Sequence, residues 1–235
     1  MKQQILIWDI PTRVCHWLLA VGVVYAWFSV EILEDMEQHF WAGYTVLTLL
    51  LFRLTWGFVG SDYARFSRFF FRVGEIVDYA KTLPKKRSQP SMPKRHYLGH
   101  NPLGSLAALG MLTVLSLQAV TGLFSNDDYF FGPLSGLVGK GLSATITEIH
   151  HLNFNVVEVL VGLHILAIIF YRLYKKEKLV AAMITGKKSA TSLDDKGIAD
   201  SKLLLALFIM VLCIAVVYGL ANAFTDSLPS VDYYY

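Results

Sequence analysis

Five runs of apolar residues divide the chain. Each is close to the roughly 20 residues that an α-helix needs to cross a bilayer. The first spans Val14 to Val30 and ends in an acidic loop of Glu31, Glu34, Asp35 and Glu37. The second starts at His39 and continues to about Gly60, with Arg53 as its only charge. The third, Leu103 to Phe124, is opened by Asn101 and Pro102. Proline suits a helix start because the N–H it lacks has no intrahelical acceptor there. The fourth, Leu152 to Tyr171, follows His150 and contains Glu158 and His164, and the fifth, Leu203 to Phe224, carries no charge. The pattern predicts an all-α integral membrane protein with five spanning helices.

The polar stretches carry their own signals. Phe66, Phe69, Phe70, Val73, Ile76, Val77 and Ala80 recur at helical spacing, with Arg65, Arg68, Arg72 and Asp78 between them. That spacing predicts an amphipathic helix within about residues 63–83, lying on the membrane surface or capping the spanning helices. Met1 to Thr12 reads as a short head, with Trp8 as an interface anchor and Pro11 as a helix breaker. No solenoid repeat or low-complexity segment appears.

Composition agrees with the pattern. Of the 235 residues 54% are hydrophobic and 17% charged, against about 25% charged in soluble domains, and mean hydropathy is +0.47. The net charge of +3 matters less than its placement. Arg65, Arg68, Arg72, Lys81, Lys85, Lys86, Arg87, Lys94 and Arg95 lie between the second and third runs. Arg172, Lys175, Lys176, Lys178, Lys187, Lys188, Lys196 and Lys202 follow the fourth. The other two loops hold only Lys140. The positive-inside rule then places the N-terminus in the cytoplasm and the C-terminus outside, in a multi-pass membrane protein. The lipid bilayer is the expected surrounding, and no nucleic-acid partner is expected. The first run lacks a small-residue cleavage pattern, so no cleavable signal peptide is expected. Cys15 and Cys213 form neither a C-x-x-C-H haem attachment motif nor a zinc spacing, so any haem is b-type.

The histidines supply the candidate chemistry. His150 and His164 are fourteen residues apart, about 21 Å of helical rise and roughly four turns, so both rings leave nearly the same face. With the topology above, His39 and His150 lie at the outer side and His16 and His164 toward the cytoplasm. The matched depths predict two bis-histidine haems, His16 with His164 and His39 with His150. Neutral imidazole is a good axial ligand. Two axial histidines close the iron to oxygen chemistry and leave electron transfer. Arg13, Arg53 and Arg172 share the inner level, either to meet haem propionates or to snorkel to lipid phosphates. Gly43, one turn from His39, leaves room for a porphyrin or for helix packing. His151 competes with His150 but lies about 140° from the face of His164. His96 and His100 read as solvated loop or headgroup contacts, with His100 also a quinone or propionate contact. Glu158 at mid-helix is a functional candidate by default, paired with Gln118, protonated, or relaying protons. Gly219 and Ala223 have small-xxx-small packing spacing. No catalytic residue is singled out.

With these residues placed, the chain resembles the bacterial cytochrome b561 and Ni,Fe-hydrogenase b-type cytochrome subunit family. The matching residues are Trp8-Asp9, Arg13, His16-Trp17, His39, Gly43, Arg53 and the run from Trp56 to Phe66. Gly99-His100-Asn101-Pro102-Leu103-Gly104 and the pair His150 and His164 complete the set, which covers about Leu6 to Lys176. The resemblance implies a four-helix dihaem core with His16, His39, His150 and His164 as iron ligands. It also implies electron exchange between membrane quinone and a periplasmic c-type cytochrome or oxidoreductase subunit, and a homodimer stays open. The expected organisation is a dihaem domain over 1–176, a basic cytoplasmic linker over 177–202, and a fifth spanning helix with an external tail over 203–235. The rival readings are a membrane-anchor cytochrome b of a hydrogenase or dehydrogenase, a metal or proton transporter, and an inert helical scaffold.

Overall fold

The computed structural model describes residues 3–84, 97–190 and 195–222. Its helices are α1 (Ile10–Glu31), α2 (Met36–Val59), α3 (Val73–Ala80), α4 (Pro102–Phe124), α5 (Lys140–Phe170), α6 (Leu179–Thr185) and α7 (Leu203–Asn222), with short strands β1 (Gln4–Leu6) and β2 (Lys187–Ser189). Five helices are long and apolar enough to cross a membrane: α1, α2, α4, α5 with the π turn that extends it to Lys175, and α7. The chain is an all-α, multi-pass membrane protein.

The helix starts lie upstream of the apolar runs because capping sets them. The α1 helix begins with Asp9 as its cap, whose Oδ1 accepts the Thr12 amide at 2.6 Å. Pro11 therefore sits in the first turn, where its missing N–H costs no bond, and it opens the helix rather than breaking it. Asp35 caps α2 in the same way, taking the Gln38 amide at 3.0 Å. Asn101 Oδ1 takes the Gly104 amide at 2.7 Å at the start of α4. The largest difference is α5, which starts at Lys140, twelve residues before its apolar run. Its polar first turns are tied to the preceding loop: Ser143 Oγ donates to Phe124 O at 2.6 Å, and the Asn126 amide donates to Thr147 Oγ1 at 2.8 Å.

Two expectations change outside the spans. The amphipathic stretch is not one helix. It forms 3-10 turns at Asp62–Ala64 and Phe66–Arg68, followed by the eight-residue α3. Asp62 draws Arg65 (3.1 Å) and Arg68 (2.6 Å) to itself, and Phe66 and Phe69 turn their rings to the guanidinium of Arg53. The segment after the fourth span is likewise more than a basic linker. It carries α6 and then β2, which pairs antiparallel with β1 in the register Gln4↔Ser189, Ile5↔Lys188 and Leu6↔Lys187. The amides of Ile7 and Trp8 both donate to Gly186 O, at 2.8 and 3.0 Å. Trp8 is consequently buried with Ile5, Ile7 and Ala182 instead of anchoring at the interface. His96, Ala223 and the tail from Asp226 to Tyr235 lie outside the described residues.

The chain divides into two compact units. One gathers the described parts of Met1–Cys15, Arg53–Met111 and Leu160–Ala206. Its packing is the Ile5, Ile7, Trp8 and Ala182 cluster, joined by Tyr63, Leu98 and Ala190. The other gathers the described parts of His16–Phe52, Leu112–Val159 and Leu207–Tyr235. There Leu47 of α2, Leu123 of α4, Leu134 of the following loop and Val217 of α7 pack together. The fifth span thus contributes to the same apolar cluster as α2 and α4.

Candidate functional site

In the second unit α2 and α5 bring His39 and His150 together. Their ring centroids are 6.3 Å apart and their planes cross at 89°. An imidazole–metal bond is about 2.0–2.1 Å and the ring centroid lies about 1.1 Å behind its nitrogen, so two rings sharing one ion stand about 6.3 Å apart. The spacing fits a bis-histidine metal.

Each ring is held by its other nitrogen. His39 Nδ1 lies 2.9 Å from the Ala26 carbonyl on α1. His150 Nδ1 lies 3.0 Å from the Gln118 carbonyl on α4 and 3.1 Å from Thr121 Oγ1. A carbonyl only accepts, so Nδ1 carries the proton in both rings and Nε2 keeps the lone pair that binds a metal. This is the arrangement that fixes tautomer and ring direction in metal-ligating histidines. All four of α1, α2, α4 and α5 take part, two with imidazoles and two with carbonyls.

Sequence reading missed the polar set behind His150. Asn153 Nδ2 donates to Gln118 Oε1 at 2.7 Å and to Val114 O at 3.1 Å, and Gln118 Nε2 lies 3.1 Å from His150 Nε2. A metal held by His150 Nε2 would take the place of that last hydrogen bond. Gly122 matters by its lack of a side chain, since a Cβ there would stand 3.1 Å from His150 Cε1 and 3.5 Å from Nδ1. The available signal was the occurrence of Gln118, Thr121 and Asn153 on otherwise apolar spans.

The remaining candidates fall as follows. His16, on α1, is half-buried with its ring edge-on to Trp17. His164, on α5, is half-buried and belongs to the other compact unit. Arg53 is buried, its guanidinium lying over Phe66 (5.3 Å) and Phe69 (5.7 Å), and its Nη1 has no hydrogen-bond partner among the described residues. A buried donor in that condition fits a carboxylate ligand such as a haem propionate. Arg13 is engaged with backbone instead, donating to Ile184 O at 2.5 Å and Asp9 O at 3.4 Å. Arg172 is exposed. The space beside Gly43 is open for 4 Å.

His100 is not a solvated loop residue. Its ring packs against Trp8 (4.7 Å) and Phe69 (4.5 Å). Glu158 is exposed, and its expected partner Gln118 is taken by Asn153 and His150. His151 is exposed and flanks the pair from the next position. Among the described residues no three His, Cys, Asp or Glu side chains converge as a metal cage.

Comparison with known proteins agrees with this chemistry. The sequence profile of prokaryotic cytochrome b561 matches Ile7 to Gly186, about three quarters of the chain. The chain is 24% identical over 215 residues to a probable Ni/Fe-hydrogenase B-type cytochrome subunit of Bradyrhizobium diazoefficiens, covering 80% of this chain and 87% of that one. A protein of the same name from Rhodobacter capsulatus is 25% identical, covering 80% and 82%. The probable Ni/Fe-hydrogenase 1 B-type cytochrome subunit of Escherichia coli is 24% identical, covering 78% and 90%. No solved structure matches. By the extent of the profile match, the chain belongs to the prokaryotic cytochrome b561 family and is a membrane b-type cytochrome of electron transfer.

Proposed function

We propose that the protein carries electrons across the bacterial inner membrane on two b haems, between the quinone pool and a periplasmic redox partner. The observation that carries the reading is the His39–His150 pair, 6.3 Å apart with each Nδ1 turned to a helix carbonyl. These two hold the outer haem, and His16 and His164 hold the inner one. Haem supplies a one-electron couple. The chain's own part is to fix both Nε2 atoms by their Nδ1 bonds and to leave no ligand position for oxygen. Arg53, whose buried Nη1 has no hydrogen-bond partner among the described residues, meets an inner propionate, and Arg13 and Arg172 stand at the same level. The N-terminus is cytoplasmic and the C-terminus periplasmic, as the loop charges require. Residues 1–176 form the dihaem domain, and the fifth span adds to it.

The test is a dithionite-reduced minus oxidised spectrum of the purified protein with its haem-to-protein ratio. The expected result is bis-histidine b bands at about two haems per chain. His150→Ala removes one haem and His164→Ala the other. A colourless protein from haem-replete cells sinks the reading, as does retention of both haems in both variants.

A second reading is the membrane-anchor cytochrome b of a hydrogenase. It is favoured by the names of the relatives, all of them Ni/Fe-hydrogenase B-type cytochrome subunits. Reduction of the haems by hydrogen in native membranes, abolished by loss of the hydrogenase, distinguishes it.

A further inference from the structure

The two carbonyls that hold the histidine pair share a feature. On α1, Ser29 Oγ donates to Ala26 O at 2.9 Å, and His39 Nδ1 lies 2.9 Å from the same oxygen. On α4, Thr121 Oγ1 donates to Gln118 O at 3.0 Å, and His150 Nδ1 lies 3.0 Å from that oxygen. In each case the hydroxyl follows its carbonyl by three residues. Ser29 is 0% exposed and Thr121 6%. Neither hydroxyl is a bystander on the lipid surface.

A carbonyl oxygen has two lone pairs, and in a helix one of them already faces the amide four residues on. The hydroxyl and the imidazole N–H therefore compete for what is left. The competition weakens the Nδ1–H···O bond. That bond is the usual means by which a protein makes a ligand imidazole more electron-donating, which favours the oxidised metal.

We propose that Ser29 and Thr121 are positioning residues that raise the redox potential of the outer haem by sharing the carbonyls of Ala26 and Gln118 with its two ligand imidazoles. The proposal rests on the reading of His39 and His150 as iron ligands. One such shared carbonyl stands behind each ligand. Thr121 Oγ1 also lies 3.1 Å from His150 Nδ1 and 2.8 Å from Leu117 O, so it accepts part of the Nδ1–H that Gln118 O would otherwise hold alone, and a hydroxyl is the weaker acceptor of the two.

The test is an optical redox titration of the full-length protein in detergent, with the outer haem identified as the one lost in His150→Ala. Ser29→Ala and Thr121→Val each lower the midpoint of the outer haem, the double variant lowers it further, and the inner haem stays where it was. Thr121→Ser, which keeps the hydroxyl, restores the parental midpoint. An unchanged or raised outer midpoint with both haems bound overturns the proposal. So does loss of the outer haem in Thr121→Val that Thr121→Ser fails to restore, because the methyl group and not the hydroxyl would then be what matters. If His150→Ala keeps both haems, the ligand reading falls and this proposal with it. If His150→Ala loses one haem and the hydroxyl variants leave its midpoint untouched, only this proposal falls.

Discussion

Asp9 is a buried acceptor on which three donors converge. It is 0% exposed. One carboxylate oxygen takes the Thr12 amide at 2.6 Å, and the other takes Trp56 Nε1 at 3.2 Å and the hydroxyl of Ser61. Asp9→Ala leaves all three buried donors without an acceptor. Each such donor costs about 1–3 kcal/mol, or about 3–9 kcal/mol together. The Ser61 hydroxyl can rotate to another acceptor, which leaves two donors and an expectation of about 2–6 kcal/mol. That is a large fraction of a typical stability of about 5–15 kcal/mol. Asp9→Asn keeps one acceptor oxygen, and the Ser61 hydroxyl can turn to accept from the new amide, so its cost is about 1–3 kcal/mol. The assay is guanidinium unfolding of the purified protein in mild detergent, followed by tryptophan fluorescence, for parent, Asn and Ala variants. A loss below about 1 kcal/mol in Asp9→Ala refutes the reasoning, since it amounts to less than one unsatisfied donor. Equal losses in both variants refute it as well, since the acceptor count would then be irrelevant.

Three further outcomes are expected. Gly186→Ala destabilises the β1–α6 junction by about 2 kcal/mol or more, because Gly186 has φ +77 and an added Cβ would stand 2.6 Å from Trp8 O; the same unfolding assay reads it. Gly122→Ala pushes its Cβ to 3.1 Å from His150 Cε1, so the ring gives way and the band position or content of one haem changes while the other holds; the reduced spectrum reads it. Asp35, whose carboxyl is held below its ordinary value first by the Gln38 amide and then by the Gln38 side chain, stabilises the start of α2 fully above its unfolded value of about 3.9. That contribution is lost as pH falls through the lower folded value, so the stability gap between parent and Asp35→Ala narrows below about pH 4.

The spans were legible because about 20 apolar residues in a row have few alternatives to crossing a bilayer. What lay between them was not. The 66–80 periodicity is real, yet Asp62 with Arg65 and Arg68 fixes two 3-10 turns there. Arg53, 47 positions after the strand residue Leu6 and inside a span, takes Phe66 and Phe69 as its ring partners. A helical wheel of residues 66–80 contains neither Asp62 nor Arg53. The β1–β2 pairing joins Gln4 to Ser189, and three-residue strands at such a separation leave no local signal. Pro11 misled for the opposite reason. It looks like a breaker until Asp9 is seen to cap the helix it opens.

At the site, residue type and spacing select the histidines but do not say what makes a ring a ligand. A histidine at a helix start is as well explained by capping or packing. The difference lies in which nitrogen the surroundings consume. Ala26 and Gln118 do this for His39 and His150 with main-chain carbonyls, and a carbonyl has the same letter code whatever it binds. Side chains near the carbonyl are readable, however. Ser29 and Thr121 each carry a hydroxyl three residues beyond such a carbonyl, on an apolar span. Hydroxyls bonded to a carbonyl one turn back also occur at Thr45 and Thr48 on α2; Ser29 and Thr121 differ in that their carbonyls also meet an imidazole Nδ1. On the proposal made above, that shared carbonyl sets how strongly each imidazole would donate to an iron.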